Sequence, residues 1–221
     1  MTRIVFNSRY AILPRTGKMP QYEEKAVKNE PMLFSSSLGH AMCCGGPITK
    51  EFIMRIPVAI RTRPDFILDT RVHMLMKGWY PCIPGWHLDD IPRTRDDGQP
   101  DHANPIYRAE HFMCLIGDCS VTSFINGKIE LDEPEDGSGL TTYQVWHDEI
   151  ESRLQRNPEF EVSAPVGELV YFNSESFHKG NPATKNGWRW FGRASWNTER
   201  KHANEIRKQV QVYLPALTEG W

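Results

Sequence analysis

The sequence predicts a mainly β fold, an antiparallel sandwich or jelly roll with a few peripheral helices. Three observations carry this expectation. Short runs rich in Val, Ile, Thr and aromatic residues recur along the chain. Turn signals such as Gly117-Asp118 and Asn126-Gly127 stand between them. Helical spacing is confined to residues 144–155 and 198–209. Many strands, few helices and paired turns make a β-layered core.

Taken in order, residues 1–50 read as loops and short elements wrapping that core. Pro14, Pro20, Pro31 and Pro47 are scattered there among polar residues. Residues 52–60 are apolar, interrupted by Arg55 and Pro57, and read as a strand, as do residues 66–76. A strand reading continues over 72–80 until Pro81. Residues 93–104 form a polar loop with a turn at Asp96-Asp97-Gly98, and loops of this length are often functional lids. Strands follow at 110–116 and 119–125. Asn126-Gly127 then signals a hairpin into 128–131. A second polar loop covers 132–139.

The helix over 144–155 rests on an apolar stripe of Val145, Trp146, Ile150 and Leu154, and it stops before Asn157-Pro158. Residues 160–163, 167–172 and 188–196 read as strands. A polar helix over 198–209 and a last strand over 210–214 complete the expectation.

At 221 residues the chain fits one large domain, with an N-terminal wrap over 1–50, a β core over 52–196 and an extension over 198–221. The 26 basic and 28 acidic residues nearly cancel, which argues against a strong global field for nucleic acid or membranes. No apolar run approaches the ~20 residues of a membrane span. Residues 1–6 lack the apolar region of a signal peptide. The five cysteines Cys43, Cys44, Cys82, Cys114 and Cys119 are odd in number and form no Cys-x-x-Cys pair. Neither a disulfide framework nor a zinc ribbon is expected, and a cytoplasmic location fits.

The chemistry concentrates in Gly85-Trp86-His87-Leu88-Asp89-Asp90. In an extended segment, residues two apart share a face, so His87 and Asp89 present an imidazole and a carboxylate side by side. Two histidines and one carboxylate are the facial ligand set of non-haem Fe(II) oxygenases, and they leave positions open for a co-substrate and O2. The third ligand is expected from a distant strand end, and His178 is the best candidate. His111 and His147 are the alternatives. His111 lies mid-strand soon after Asp89, and His147 sits on the expected helix.

His87-x-Asp89, then His178, then Arg189 resembles the Fe(II)/2-oxoglutarate-dependent dioxygenase superfamily, in particular its phytanoyl-CoA hydroxylase-like and taurine dioxygenase-like members. The likeness covers residues 70–196. It implies a cupin-like double-stranded β-helix, with iron held by His87, Asp89 and His178 in the barrel mouth. It implies 2-oxoglutarate as co-substrate, its far carboxylate paired with an arginine on the strand after the distal histidine. A guanidinium fork suits a carboxylate through two parallel hydrogen bonds.

Arg189 fits that role by spacing. Arg193-x-Ser195 resembles the Arg-x-Ser co-substrate motif of another branch, so Arg193 and Ser195 remain alternatives. The other arginine would be free to meet an anionic group on the substrate. Thr122 resembles a further co-substrate contact. The activity implied is hydroxylation of a small molecule coupled to decarboxylation of 2-oxoglutarate. A cupin-like metal- or ligand-binding protein without turnover is the rival. A nucleic-acid-modifying oxygenase is a weaker one, suggested by Arg200, Lys201, Arg207 and Lys208. Trp188, Trp190 and Trp196 have the opposite parity to the arginines, which suits core packing.

Overall fold

The computed structural model describes residues 3–13, 16–102, 108–133 and 142–214. The elements in chain order are β1 (Arg3–Ser8), β2 (Tyr10–Ile12), α1 (Glu24–Lys28), β3 (Leu33–Phe34), α2 (Leu38–Cys44), α3 (Pro47–Arg55), α4 (Val58–Arg61) and β4 (Ile67–Leu75). Then follow β5 (Glu110–Ile116), β6 (Thr122–Ile125), β7 (Gly127–Asp132), α5 (Thr142–Leu154), β8 (Glu161–Ser163), β9 (Val170–Asn173), β10 (His178–Gly180), β11 (Gly187–Trp196) and β12 (Glu205–Ile206). The fold is mainly β. Most of the 132–139 loop, the end of the 93–104 loop, Pro14 and the end of the C-terminal extension lie outside the described residues.

The largest sheet has five antiparallel strands in the order β2-β9-β5-β11-β4. A three-stranded sheet, β10-β6-β8, lies across from it. Side chains alternate between faces along a strand. On one face of the large sheet Leu68, Val72, Phe112, Cys114, Trp190, Ala194 and Trp196 pack with Phe52 and Ile53 of α3. The tryptophans of β11 thus serve the core, as their parity predicts. The other face joins Met113, Leu115, Val170 and Phe172 to Phe124 of β6, closing a core between the two sheets. Alternation places Asp69, Arg71 and His73 of β4, His111 of β5, and Arg189, Phe191, Arg193 and Ser195 of β11 on this inner face.

Several segments depart from the sequence reading. Residues 52–55 and 58–60 are helical, in two separate helices. Pro47 opens α3 at its first turn, where a missing N–H costs nothing, and Ile48, Phe52 and Ile53 fall on one buried stripe. Pro57 precedes α4 instead of breaking a strand. The strand read over 72–80 ends at Leu75, and a turn at Gly78 (φ +88°) follows. The N-terminal segment does more than wrap. β1 pairs with β7, and β2 is the edge of the large sheet.

Asn126-Gly127 turns the chain without forming a hairpin: β6 belongs to the small sheet, whereas β7 pairs with β1. Residues 198–209 form no helix. Asn197 and Asn204 hold positive φ, and β12 pairs with β3. Residues 210–214 form no strand and make a single bridge, Tyr213 to Tyr80. All five cysteines are free thiols. Among the described residues no helix is long and apolar enough to cross a membrane.

Candidate metal centre

β10 pairs with β6 on one side. On the other, His178 and His87 exchange both backbone hydrogen bonds, at 3.0 and 3.1 Å. This one-residue bridge sets the metal loop against the small sheet. Gly85 supplies the turn into it with φ +104°, a conformation open to glycine at little cost. Gly180 permits a close approach: a β-carbon there would lie 2.5 Å from the Cys82 sulfur and 3.0 Å from Pro81.

The loop is also anchored from α5. Trp86 is buried. Its backbone N–H donates to His147 Nδ1 at 3.3 Å, and its indole N–H donates to Glu151 at 2.8 Å. Lys179 lies 4.3 Å from the Trp86 ring and 2.8 Å from Glu151.

His87, Asp89 and His178 come together, one ligand atom from each lying within 4.8 Å of the others. Among the described residues they are the one such group. The Nδ1 atoms are committed. His87 Nδ1 donates to the Gly85 carbonyl at 3.0 Å and His178 Nδ1 to the Ser176 carbonyl at 2.9 Å. A carbonyl only accepts, so Nδ1 carries the proton and Nε2 presents its lone pair. Carbonyl anchoring of this kind also fixes ring orientation in metal sites.

His178 Nε2 stands 3.2 Å from Asp89 Oδ2. Two acceptors at that separation are stabilised by a cation between them, a second ring proton or a metal ion. Adjacent ligands ~2.1 Å from a metal in octahedral geometry stand ~3 Å apart, so the donors suit a divalent ion.

Burial, with repulsion from His178, lowers the His87 pKa to about 4, although Asp89 opposes this. Burial pushes the Asp89 carboxyl upward, but Arg193, His178 and His87 outweigh it and hold the group well below the ordinary carboxylate range. Both therefore sit at neutral pH in their metal-binding forms.

The two arginines of β11 differ sharply. Arg193 makes a close ion pair with Asp89 and faces Asp69 at 3.7 Å and Asp90 at 3.8 Å. It is therefore not free to meet an anion, contrary to the expectation for the second arginine. Arg189 is 3% exposed, donates to the Ser120 carbonyl at 3.0 Å and to Thr122 Oγ1 at 3.2 Å, and has no carboxylate partner among the described residues. Burial without that partner lowers its pKa to about 10. Thr122 thus stands beside Arg189. Ser195 is bonded instead to His111 Nδ1 at 2.8 Å. His111 is held there, stacked on Phe172, and His147 serves the Trp86 N–H, so neither joins the cluster.

A cavity of about 1240 Å3 reaches His87 and Asp89 and is walled by Trp86, Tyr143, Lys179 and Arg71. Sequence reasoning missed Asp69, Arg71, His73 and Asp90. Asp69 binds Arg200 at 2.6 Å and Arg207 at 3.5 Å, which turns these residues inward and away from any basic helix face. Asp90, at φ +55°, accepts from Thr198 at 3.2 Å. A signal was present for three of them: Asp69, Arg71 and His73 alternate along a strand that was read correctly, placing three polar groups on one face.

No protein-family model matches the chain, and no curated protein matches it. Solved structures that resemble it include a non-haem monooxygenase, the ThoJ–Ni complex, at 8% identity and a TM-score of 0.33, covering 85% of this chain and 88% of that one. Another is HygX from Streptomyces hygroscopicus with iron bound, at 9% identity and a TM-score of 0.35, covering 89% of this chain and 85% of that one. Likenesses this slight establish neither a shared fold nor a shared activity.

Proposed function

We propose that the protein is a mononuclear Fe(II) oxygenase that uses 2-oxoglutarate as co-substrate, on a cupin-like double-stranded β-helix. The observation that carries the reading is a pairing of sites between the two sheets, with His178 on β10 and Arg189 of β11 bonded to Thr122 of the neighbouring β6. A His-Asp-His cluster with both Nε2 lone pairs presented is accompanied by a buried guanidinium that meets no carboxylate among the described residues.

His87, Asp89 and His178 would hold the iron, which supplies dioxygen activation coupled to oxidative decarboxylation of 2-oxoglutarate and substrate hydroxylation. Asp89 offsets one unit of metal charge. The Gly85 and Ser176 carbonyls keep both imidazoles in the ligating tautomer. Arg189 receives the far carboxylate through its fork, with Thr122 beside it, in a setting where burial strengthens the attraction. Trp86 and α5 hold the metal loop in place.

The test uses anaerobic protein with Fe(II), then 2-oxoglutarate, and looks for the weak visible charge-transfer band of the chelate. A band that vanishes in His178→Ala and weakens in Arg189→Gln supports the reading. Metal binding without a band transfers the assignment to a cupin-like binding protein without turnover.

A further inference from the structure

Charge on the inner wall is unbalanced. Arg193 of β11 and the inward-turned Arg200 and Arg207 share the three carboxylates Asp69, Asp89 and Asp90, whereas Arg189 of β11 and Arg71 of β4 meet none among the described residues. Two positive charges are left over. A divalent metal adds two more, and the dianion 2-oxoglutarate removes two, so the excess persists in the loaded site. Buried excess charge is costly unless an opposite charge meets it.

The excess can be located. Of the cations lining the cavity, Lys179 is tied to Glu151 at 2.8 Å and Glu161 at 3.6 Å, and Arg207 to Asp69. Arg93 is exposed at the rim and donates to the Gly98 carbonyl. Arg71 has no ion pair or hydrogen-bond partner among the described residues. It is half-buried, opposite Phe191 and flanked on its strand face by Asp69 and His73. Its charge is felt nearby, adding to burial and to Arg189 in lowering the His73 pKa. Arg189 is almost fully buried, whereas Arg71 is half-buried and lines the space in front of the candidate metal ligands.

We propose that Arg71 receives an anionic group of the substrate, so that the substrate class is small molecules bearing a carboxylate, sulfonate or phosphate. This deepens the oxygenase reading and rests on it for the word substrate. The anion site itself does not depend on turnover.

The experiment is calorimetric titration of the whole protein with methanesulfonate and with dimethyl sulfone, which has nearly the same shape and no charge. It is run metal-free and after loading with Fe(II) and 2-oxoglutarate. Methanesulfonate should bind and the sulfone should not. Arg71→Gln should weaken methanesulfonate about tenfold or more, the scale of one lost charge-assisted hydrogen bond, and Arg71→Lys should recover part of the loss. Binding should also weaken as NaCl rises.

Equal binding of the two probes, no binding of methanesulfonate, or wild-type binding by folded Arg71→Gln each overturns the proposal. If 2-oxoglutarate fails to give its band while metal-free protein still binds methanesulfonate through Arg71, the oxygenase reading has failed and the anion site stands. A normal band without anion preference is the reverse case.

Discussion

His87 and His178 are far apart in sequence, yet each backbone N–H donates to the other's carbonyl, and their rings stand 4.5 Å apart between centroids. The ligand geometry therefore depends on a main-chain bridge as well as on side chains. Anything that displaces residues 81–82 or 180 should loosen the bridge and the metal site together.

Gly180→Ala tests this. The added β-carbon meets Cys82 and Pro81 at distances that force a shift. Overpacking of this kind costs roughly 1–3 kcal/mol. Chemical denaturation should record that loss, and Fe(II) affinity should fall with it. Unchanged affinity in a destabilised protein would mean that the bridge does not govern the ligands.

Asp89→Ala removes a candidate ligand and also the nearest partner of Arg193. Breaking a buried pair typically costs ~3–5 kcal/mol, and because Asp69 and Asp90 remain beside Arg193 a loss of roughly 2–3 kcal/mol is expected. The double variant Asp89→Ala/Arg193→Met should recover stability without recovering metal binding. Denaturation curves of the metal-free proteins decide the first point and metal titration the second.

Arg189→Met should separate stability from function. A buried guanidinium without a carboxylate is costly, and an apolar side chain of similar length avoids that cost. The metal-free variant should be as stable as the parent or more so. 2-Oxoglutarate should no longer raise its thermal midpoint. A strongly destabilised variant would mark Arg189 as structural.

His73 gives the pH dependence a sign. Burial, with Arg189 and Arg71, lowers its pKa to about 3, and neither ring nitrogen has a hydrogen-bond partner among the described residues. Between its unfolded pKa of ~6.5 and that value, the unfolded chain binds the extra proton. Stability contributed by neutral His73 is thus complete above ~6.5 and is lost as pH falls through that window, by roughly 2 kcal/mol at pH ~5. His73→Leu should flatten the acid limb of the stability curve over the same range. An unchanged slope would place the proton elsewhere.

Much was legible along the chain because its physics is local. The apolar run of 110–116, the period-two alternation of 188–196 and the helical stripe of 144–155 are each carried by near neighbours in the chain, and all three elements formed. His87-x-Asp89 and His178 were legible as a candidate donor set through their residue types and strand-like flanks, and the structure brings the three side chains together. Residues 52–60 misled because a short apolar run with a proline fits either a strand or two short helices, and the packing of Phe52 and Ile53 against Trp190 settles it. Residues 198–209 misled because polar spacing suits a helix, while Asp69, buried across the fold, draws Arg200 and Arg207 inward.

By itself the sequence determined the β-rich class, the residues that supply the candidate ligands and the parity that sets the arginines of β11 against its tryptophans. Those follow from side-chain chemistry and strand period, which need no partner. Only the tertiary structure decided which arginine is spent and which is free. Arg189 and Arg193 share a strand, a face and a charge. Asp89, Asp69 and Asp90 converge on Arg193 from other parts of the chain and none reaches Arg189. Coulomb attraction acts through space, so the compensation of a buried charge depends on the fold that gathers its neighbours.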